Sequence, residues 1–561
     1  MSRTKHARRK RFKVKADLKV AITVRTLDGE IVKGEVCDLS QTGVLFEIEK
    51  SAVDTQEIPF KDGQILPEGK ITWENHEWAF GRGALKFLKD RGNCLSIGMM
   101  FIDNLAPIEG KLSKILESNF DPSMRDRDVD IAEGDVNLGD FLAVDIGSND
   151  IFAKAKRFQN YVISMEKSER FGYWITRKPS KGARVHLAKS RPDGRNDFLV
   201  FASNDYLGLA SHPEVIEAAK SALDRYGFGS TGSAVTTGQT EEHEVLEELL
   251  ARTLRTESAL LFNSGYAANT GIIAGLVGPS DLVVADILSH ASIMDGMQMS
   301  QGVKRFFKHN DTHHLKRVLE RSRGEASGCL VVVEGVFSMD GDSSPLEEIL
   351  HTARKYDARI MIDEAHSFGV LGRNGLGLAE ETGLMGGIDL TMGTFSKICG
   401  GIGGFAAGSR EIVDWLKVSA RSTFFSVSIP PSTAAAARKG LELFLSRPEL
   451  LARLRENIQH FANGLREMGF PLPHDHRTPI LPAIVGDEVK LGKIYKMLID
   501  EGVYTIPVVF PAVSRNTCRF RFTVTANHSL SDLDYALIVL KRALEKVGFD
   551  AHAAHQNRDA A

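Results

Sequence analysis

The sequence predicts an α/β protein in which a small β-rich region precedes a large domain built on a mostly parallel sheet. At 561 residues, the chain is longer than one ordinary domain. Short β-branched runs occupy about the first 110 residues. From about residue 155, short apolar runs alternate with amphipathic helical segments, which is typical of a sheet covered by helices on both faces.

Composition and charge exclude several classes of protein. The net charge of −3 argues against a protein that binds nucleic acid polymers. No apolar run approaches the roughly 20 residues of a membrane span, and no apolar segment follows the basic start "MSRTKHARRKRFKVK", so a signal peptide is not expected. Scattered cysteines without metal-ligand spacing predict reduced thiols, no metal site and a cytoplasmic protein; they are Cys37, Cys94, Cys329, Cys399 and Cys518.

The first region, residues 1–118, is predicted to form a small β-barrel or sandwich. Its strands are the runs "LKVAITVRT", "EIVKGEVCDLS", "GVLFEIE", "GKITWE" and "LSIGMMFID", which Gly, Asp and Asn separate. Residues 119–154 are acidic and have little periodicity, which predicts a linker between two domains.

Residues 155–550 are predicted to form the large second domain. Helical segments such as "EEHEVLEELLARTL" and "SPLEEILHTARKY" alternate with the apolar runs "ALLFNSG", "DLVVAD", "CLVVVEGVF" and "RIMIDEAH". The sheet is predicted within about residues 205–430, and the flanking segments form a smaller α+β part with the strand "FRFTVTAN". Ligands bind such sheets at the carboxyl ends of the strands, so residues there are candidates for a site.

The stretch "RIMIDEAHSFG" places two candidate residues after a buried strand. Asp363 follows Ile362 at the carboxyl end of that strand. A buried carboxylate needs a fixed cationic partner, and a protonated pyridine nitrogen would serve. His366 could reach a phenolic oxygen on the same ring. The alternative is an acid that caps a turn; a DEAH helicase is excluded because the phosphate loop that it needs is absent.

Two more motifs follow strands. "LLFNSGYAAN" gives a tight turn at Ser264 and Gly265 and then a helix start, whose free N–H groups can bind a phosphate. "DILSHASIMDG" places His290 in a polar loop. This histidine could stack on a bound ring and move protons, or it could be purely structural.

Cationic residues occur in two further motifs. "FRFTVTANH" puts Arg519 and Arg521 on one strand face, where they could bind a carboxylate or could simply belong to an edge strand. "DLTMGTFSKICGGIGGFAAGS" surrounds Lys397 with small residues. Either this lysine is solvated in a Gly-rich turn, or its amine is joined to a flat ligand that lies against the backbone.

Eight motifs along the chain resemble those of one known family. In order, they are "FASNDYLGLASHP", "FNSGYAANTG", "SHASIMDG", "VFSMDGDSSPL", "IDEAHSFGVLG", "GTFSKICGGIGGFAAGS", "FFSVSIPP" and "RFTVTANH". Over about residues 155–548 the sequence is similar to the α-oxoamine synthases, which are fold-type-I enzymes that depend on pyridoxal 5'-phosphate (PLP).

The resemblance implies a role for each candidate residue. Lys397 would be joined covalently to PLP, and Asp363 would pair with the pyridinium nitrogen. His366 would contact the ring hydroxyl, and His290 would stack on the ring and act as an acid. Ser264, Gly265, Tyr266 and Thr394 would lie near the phosphate, and Ser338 would be a further cofactor-binding residue. Asn204 and Arg521 would hold the carboxylate of the amino acid.

The resemblance also implies a reaction: an amino acid condenses with an acyl-CoA thioester, coenzyme A and carbon dioxide leave, and an α-aminoketone remains. A homodimer with its active site at the subunit interface is expected. The rival enzyme is a PLP-dependent aminotransferase or decarboxylase, and the rival from another class is a regulatory protein with a PLP-type scaffold. Glycine, alanine and serine, and short and long acyl groups, remain open.

Two positions depart from the family pattern. "GSTGSAVTTG" has Ala234 where the family often has an arginine. "FSVSIPP" has Val427 where family members commonly lend a threonine to the phosphate across the dimer interface. Both changes weaken the assignments of substrate and phosphate contacts, but neither alters Lys397, Asp363 or His366.

The first region resembles a PilZ domain, a class of domain that binds cyclic di-GMP. In "CDLSQTGVLFEI", Asp38, Ser40 and Gly43 match the D-x-S-x-x-G pattern. The paired-arginine element is imperfect, because Ala7 stands four residues before Arg11. The residues expected to bind cyclic di-GMP are Arg8, Arg9, Arg11, Asp38, Ser40 and Gly43. The alternative is a β-barrel used only for docking.

Overall fold

The computed structural model describes the strands between residues 11 and 101, residues 150–167 and 172–552, and Ala554. These residues fall into two units, Met1–Lys167 and Ser168–Ala561. The predicted linker lies mostly outside the described residues, as do Arg8, Arg9 and Ala7 of the predicted nucleotide site.

The first unit contains a sheet whose neighbouring strands are all antiparallel. Its strands are β1 (Arg11–Lys13), β2 (Val20–Arg25), β3 (Ile31–Ser40), β4 (Gly43–Glu49), β5 (Ile65–Leu66), β6 (Glu68–Trp73), β7 (His76–Phe80), β8 (Gly83–Asp90) and β9 (Cys94–Phe101). The pairing order is β5-β8-β9-β4-β3-β2-β6-β7, and β1 pairs with the last three residues of β3. The predicted β-rich character is therefore present, and closure into a barrel stays a prediction.

Helix α1 (Ala153–Lys167) completes the described part of the first unit. Phe158, Tyr161, Val162 and Met165 cluster on it. Their spacing of three or four residues puts them on one helical face, as expected for an amphipathic helix.

The second unit is built on a sheet of seven strands. They are β12 (Ser258–Phe262), β13 (Leu282–Asp286), β14 (Val303–Phe307), β15 (Cys329–Glu334), β16 (Arg359–Asp363), β17 (Leu390–Thr394) and β18 (Gly404–Gly408). The order is β12-β18-β17-β16-β15-β13-β14, and β18 alone runs antiparallel to its two neighbours. The carboxyl ends of β13, β15, β16 and β17 therefore meet at one edge, as the sequence predicts.

The strands of this sheet are largely apolar because both of its faces are covered. Leu282 and Val284 belong to one buried cluster, whereas Val283 and Ala285 belong to another. The helices that supply the covering, and those that follow them, are α2 (Pro213–Tyr226), α3 (Glu241–Leu254), α4 (Gly265–Leu276), α5 (Ala291–Met299), α6 (Thr312–Ser322), α7 (Leu346–Lys355), α8 (Leu378–Glu381), α9 (Arg410–Ser419), α10 (Arg421–Phe424), α11 (Pro431–Ser446), α12 (Pro448–Glu467), α13 (Glu488–Asp500) and α14 (Leu530–Val547). Burying each large apolar side chain contributes about 1.5–3 kcal/mol.

The second unit also contains two small sheets. One has the order β10-β11-β20, with β10 (Arg184–His186), β11 (Asp197–Val200) and β20 (Val503–Tyr504). The other has the order β19-β22-β21, with β19 (Ile480–Ile484), β21 (Ile506–Val508) and β22 (Arg519–Thr523). Because β22 lies between two partners, the alternative of an edge-strand arginine at Arg519 or Arg521 is wrong.

Candidate active site

Two buried acids end neighbouring strands at the carboxyl edge of the seven-stranded sheet. Asp363 ends β16 and Glu334 ends β15, and the two residues are opposite each other in the pairing register. Their exposed fractions are 5% and 3%. Asp363 accepts hydrogen bonds from the Asn269 side-chain amide (2.7 Å) and from the Ala365 backbone N–H (2.9 Å).

Burial and the charge of Asp363 raise the pKa of Glu334 well above its ordinary value. Both effects favour the neutral form of Glu334 over its charged form. One of its oxygens accepts the backbone N–H of His290, so this acid also fixes the loop that carries the histidine.

Lys397 follows β17 in a turn close to both acids. Burial lowers the pKa of its amine, and Arg521 lowers it further, whereas Asp363 and Glu334 act in the opposite direction. A lysine with a lowered pKa is more often neutral, and the neutral amine is the form that attacks a carbonyl carbon. The alternative of a fully solvated lysine does not fit, because the residue is only partly exposed and Asp363 lies within electrostatic reach of its amine.

Glycine is required just after this lysine. Gly400 has φ +62°, and a Cβ there would lie 2.5 Å from the backbone nitrogen of Ala210. Any larger residue would therefore displace one of these two segments. This contact accounts for one glycine of the motif, whereas the predicted approach of the backbone to a flat ligand stays a prediction.

His290 is connected to Asp363 by a chain of hydrogen bonds. The Asn269 amide donates to Asp363 and also to the Ser292 hydroxyl (2.9 Å). That hydroxyl lies 2.7 Å from His290 Nδ1, which also accepts the Ser292 backbone N–H. Nδ1 is therefore the acceptor, and the neutral ring carries its proton on Nε2.

Burial lowers the pKa of His290; the charge of Lys397 also lowers it, and Asp363 acts in the opposite direction. The imidazole is neutral at physiological pH as a result. Its edge faces the ring of Tyr266, with centroids 6.4 Å apart. The histidine is thus held at one of its two nitrogens and is open at the other.

His366 is buried, and its Nδ1 lies 2.6 Å from the Tyr206 hydroxyl. Burial, with the charges of Lys397 and Arg521, lowers the pKa of His366 well below its ordinary value. Burial raises the pKa of Tyr206 to about 12, so the hydroxyl stays protonated and donates a hydrogen bond to Nδ1. The His366 proton is therefore on Nε2, where it can be donated to a ligand oxygen.

The turn after β12 has the geometry of an anion site. Ser264 is the N-cap of α4, and its side chain accepts the N–H of Ala267 (3.0 Å). The N–H groups of Gly265 and Tyr266 lie in the first turn, where a helix supplies no intrahelical acceptor. Thr394 lies directly against this turn, because a Cβ on Gly265 would be 3.1 Å from the Thr394 Cβ.

Tyr266 and Ser338 occupy less direct positions. The Tyr266 hydroxyl donates to Asp295, so in this structure it faces that carboxylate. Ser338 contributes its backbone carbonyl, which accepts from Arg521 Nε at 2.6 Å. Arg521 also donates to the Asn204 side-chain oxygen (3.3 Å), so the two residues predicted to hold a carboxylate are adjacent.

Three residues of the site are not predicted by the sequence. Asn269, Glu334 and Tyr206 each lie inside a quoted motif, but no local pattern distinguishes them from their neighbours. A polar residue in an otherwise apolar strand or helix face is the available signal for Asn269 and Glu334. Their partners are remote in sequence, so the contacts themselves could not be anticipated.

The residues at this edge fit PLP in chemical terms. An anion site for a phosphate, a carboxylate for a ring nitrogen, a neutral imidazole N–H for a ring oxygen and a lysine of lowered pKa are all present. Size alone does not identify the site. A cavity of about 770 Å³ lies at the opposite edge, where Leu282, Cys329 and Arg359 begin their strands, and none of the residues above line it.

Comparison with known proteins identifies the family. The model described as aminotransferase class I and II matches residues 196–540. An 8-amino-7-oxononanoate synthase of Geobacter sulfurreducens is 44% identical over 372 residues, which cover 66% of this chain and 93% of the relative. The chain belongs to the α-oxoamine synthase family.

Solved structures agree with this family and with its fold. A serine palmitoyltransferase of S. paucimobilis with bound PLP superimposes with a TM-score of 0.68 at 31% identity, over 71% of this α-oxoamine synthase and 100% of that chain. An 8-amino-7-oxononanoate synthase of Francisella tularensis gives a TM-score of 0.53 at 25% identity, over 62% and 98% of the two chains. PLP is the cofactor of this fold family.

Two structural features are absent from the described part of the chain. No helix there is long and apolar enough to cross a membrane. Within the same residues, no group of three or more His, Cys, Asp or Glu side chains is placed to hold a metal ion.

Proposed function

We propose that this α-oxoamine synthase condenses a small amino acid with an acyl-CoA thioester, so that coenzyme A and carbon dioxide leave and an α-aminoketone remains. The observation that carries the proposal is that Asp363, from the seven-stranded sheet, and Arg521, from a small sheet, both lie within electrostatic reach of the Lys397 amine. The Arg521 guanidinium group can bind the carboxylate of an amino acid. The Lys397 amine can attack a carbonyl carbon and can accept an α-proton.

Each residue has a defined task in this proposal. When bound, PLP supplies an electron sink for the bonds to the amino-acid α-carbon. Asp363 keeps a proton on the ring nitrogen, and Lys397 Nζ takes the proton from the α-carbon. Arg521 orients the carboxylate that is later lost. The Nε2–H of His290 donates a hydrogen bond to the thioester carbonyl oxygen, which becomes more negative as the new carbon–carbon bond forms.

The remaining residues hold the cofactor and the substrate. His366 donates Nε2–H to the ring oxygen, and Asn204 helps Arg521 to hold the carboxylate. Ser264, Gly265, Tyr266 and Thr394 are assigned to the phosphate, and Ser338 is assigned to the cofactor without a more specific contact.

A matrix of amino acids against acyl-CoAs tests the reaction and defines its substrates. Glycine, alanine and serine are each paired with acyl chains of increasing length, and free thiol and product mass are measured. Thiol release that requires both substrates supports the proposal. An oxo acid formed without thiol would identify an aminotransferase, and an amine formed without thiol would identify a decarboxylase.

A homodimer with its active site at the interface is part of the proposal. Phe425 and Val427 expose 69% and 51% of their surface. The Asn263 amide binds the Val427 carbonyl (2.7 Å) and thereby fixes this apolar segment beside the phosphate turn. Exposed apolar side chains next to a site are typical of an interface. Fully active monomer in sedimentation at assay concentration would contradict this.

A second proposed function belongs to the first unit, which we infer binds cyclic di-GMP. The backbone register places Arg11 opposite Ser40, and Ser40 opposite Gly43. Asp38 lies opposite Lys13 at the same end of β3. The described members of the predicted nucleotide site are therefore adjacent along the sheet.

Calorimetry with cyclic di-GMP tests this binding. The Arg8→Ala/Arg11→Ala double variant is expected to lose the heat of binding that the wild type shows. Arg25→Ala is the matched control, because Arg25 is paired with Ile31 at the opposite end of β3. If the wild type shows no heat of binding, the alternative of a first unit used only for docking would be favoured. If binding changes kcat or KM, the first unit regulates a cytoplasmic enzyme.

A further inference from the structure

The loop of residues 338–344, here called the 338–344 loop, is held by both arginines of β22. Arg521 Nε donates to the Ser338 carbonyl (2.6 Å). Two residues earlier on the same strand, Arg519 donates to the Met339 carbonyl (3.2 Å) and forms an ion pair with Asp340. The loop is therefore the surface against which Arg521 is positioned.

The same loop is held from its other side by residues after β14. The Asp342 carboxylate accepts from His309 Nε2 (2.8 Å) and from the Asn310 amide (2.9 Å). The Asn310 amide also donates to the Ser343 carbonyl (3.2 Å). The far end of the loop is thus anchored to the seven-stranded sheet rather than to β22.

The other nitrogen of the His309 ring faces a second carboxylate. Nδ1 lies 3.2 Å from both oxygens of Asp286, the last residue of β13, which is 1% exposed. Asp286 in turn accepts the backbone N–H of Leu288 (2.8 Å), at the start of the loop that leads to His290. His309 therefore lies between the loop that carries His290 and the loop that positions Arg521.

Opposite charges strengthen the contacts of His309 with Asp286 and Asp342. Burial acts to lower the pKa of His309, but hydrogen bonds to Asp286 and Asp342 outweigh it and raise the pKa to about 10. The imidazolium donates to both carboxylates, and its edge-on contact with Phe337, at 4.5 Å between centroids, fixes the ring plane. The remaining acid of the 338–344 loop, Asp340, is paired with Arg519.

We propose that His309 is a positioning residue for the amino-acid substrate, because it sets the separation between the loop that positions Arg521 and the loop that carries His290. It acts through Asp342 and Asp286 and not by touching a reactant. The inference rests on the proposed function, since it assumes that Arg521 receives the carboxylate of the substrate. A purely structural role for His309 would change stability but would leave the affinity for the amino acid unaltered.

The experiment measures His309→Gln and Asp342→Asn, alone and combined, in the PLP-loaded enzyme. Calorimetry gives the Kd of the amino acid, and the thiol assay gives kcat and both KM values. We expect the Kd of the amino acid to rise about 10-fold in each single variant, with kcat and the acyl-CoA KM within about threefold of the wild type. The double variant should bind the amino acid no more weakly than the worse single variant, because both substitutions break the same contact between His309 and Asp342.

His313→Gln is the matched control, since His313 is an exposed histidine four positions further on. It should leave every parameter unchanged. Thermal unfolding is followed in parallel, and Asp342→Asn keeps the inference testable if His309→Gln does not fold, since Asp342 is partly exposed.

The outcomes distinguish a failure of the positioning role of His309 from a failure of the proposed function. A wild-type Kd for the amino acid in both single variants, with only the unfolding temperature lowered, would overturn the positioning role. Multiplicative losses in the double variant would also overturn it. If the wild type itself bound no amino acid and released no thiol with any pair of substrates, the proposed function would fail first.

Discussion

The two sides of the candidate site are built in different ways. On the side of the seven-stranded sheet, Lys397, Asp363 and His366 follow or end strands whose cores are buried on both faces. On the side of the small sheet, Arg521 comes from a strand of a separate sheet and depends on the backbone carbonyl of Ser338 for its position.

This difference separates chemistry from recognition. The strand ends hold groups whose pKa values are shifted by burial and by their neighbours, so this side controls proton positions. The arginine side holds a charge that does not titrate at physiological pH, so Arg521 contributes through the position of its guanidinium group. Substitutions on the first side should therefore reduce kcat, and those on the second should raise the KM of the amino acid.

The largest effect is expected for Lys397→Ala. Without the amine, no side chain at this position can attack a carbonyl or accept the α-proton, so turnover should fall by at least about 1,000-fold, or roughly 4 kcal/mol. The visible absorbance of lysine-bound cofactor should also disappear. Thiol release measured with saturating substrates checks the first result, and turnover near that of the wild type would contradict the assignment.

Asp363→Asn should have the next largest effect. The amide cannot stabilise a protonated ring nitrogen, so exchange of the substrate α-proton with deuterium should slow by about 100-fold, or roughly 2.7 kcal/mol. Cofactor should still bind. Asp357→Asn, at an exposed position on a turn, is the control. An unchanged exchange rate in Asp363→Asn would contradict the claim that the strand-end side of the site controls proton positions.

Arg521→Met should act on recognition. Losing a charge-assisted hydrogen bond of about 1.5–3 kcal/mol should raise the KM of the amino acid roughly 10- to 150-fold. The KM of the acyl-CoA and the kcat at saturation should change much less. Arg542→Met, on the exposed face of α14, is the control. A loss confined to kcat would show that the arginine side also takes part in the chemistry.

The smallest effect is expected for Val427→Thr, which restores the hydroxyl that the family commonly places at the interface. One added hydrogen bond of about 0.5–1.5 kcal/mol should lower the Kd of PLP roughly 2- to 12-fold. Val418→Thr, exposed on α9, should not change it. Equal affinities in wild type and Val427→Thr would argue that this segment does not approach the phosphate of a second subunit.

Much of the fold can be predicted from periodicity in the sequence. The segment "EEHEVLEELLARTL" is helix α3 residue for residue, and the apolar run before Asp363 is strand β16. Because parallel strands bring their carboxyl ends to one edge, the positions of Asp363, His290 and Ser264 after strands are enough to predict that they lie together. The family motifs then supply Lys397.

The remaining features depend on contacts between remote segments. Asn269 reaches Ser292, 23 residues away, and Asp363, 94 residues away. No local pattern encodes such a relay. The raised pKa of Glu334 likewise depends on its burial and on its position opposite Asp363 on the neighbouring strand. The central position of β22, which decides what its arginines contact, likewise depends on the order of strands in space.

The most direct test of the account is the stoichiometry of a single reaction. An amino acid labelled at its carboxyl carbon is incubated with an acyl-CoA and the PLP-loaded enzyme, and labelled carbon dioxide, free thiol and α-aminoketone are quantified together. The account predicts equal amounts of all three and none when either substrate is omitted. Labelled carbon dioxide released without thiol, or an oxo acid that retains the label, would contradict it.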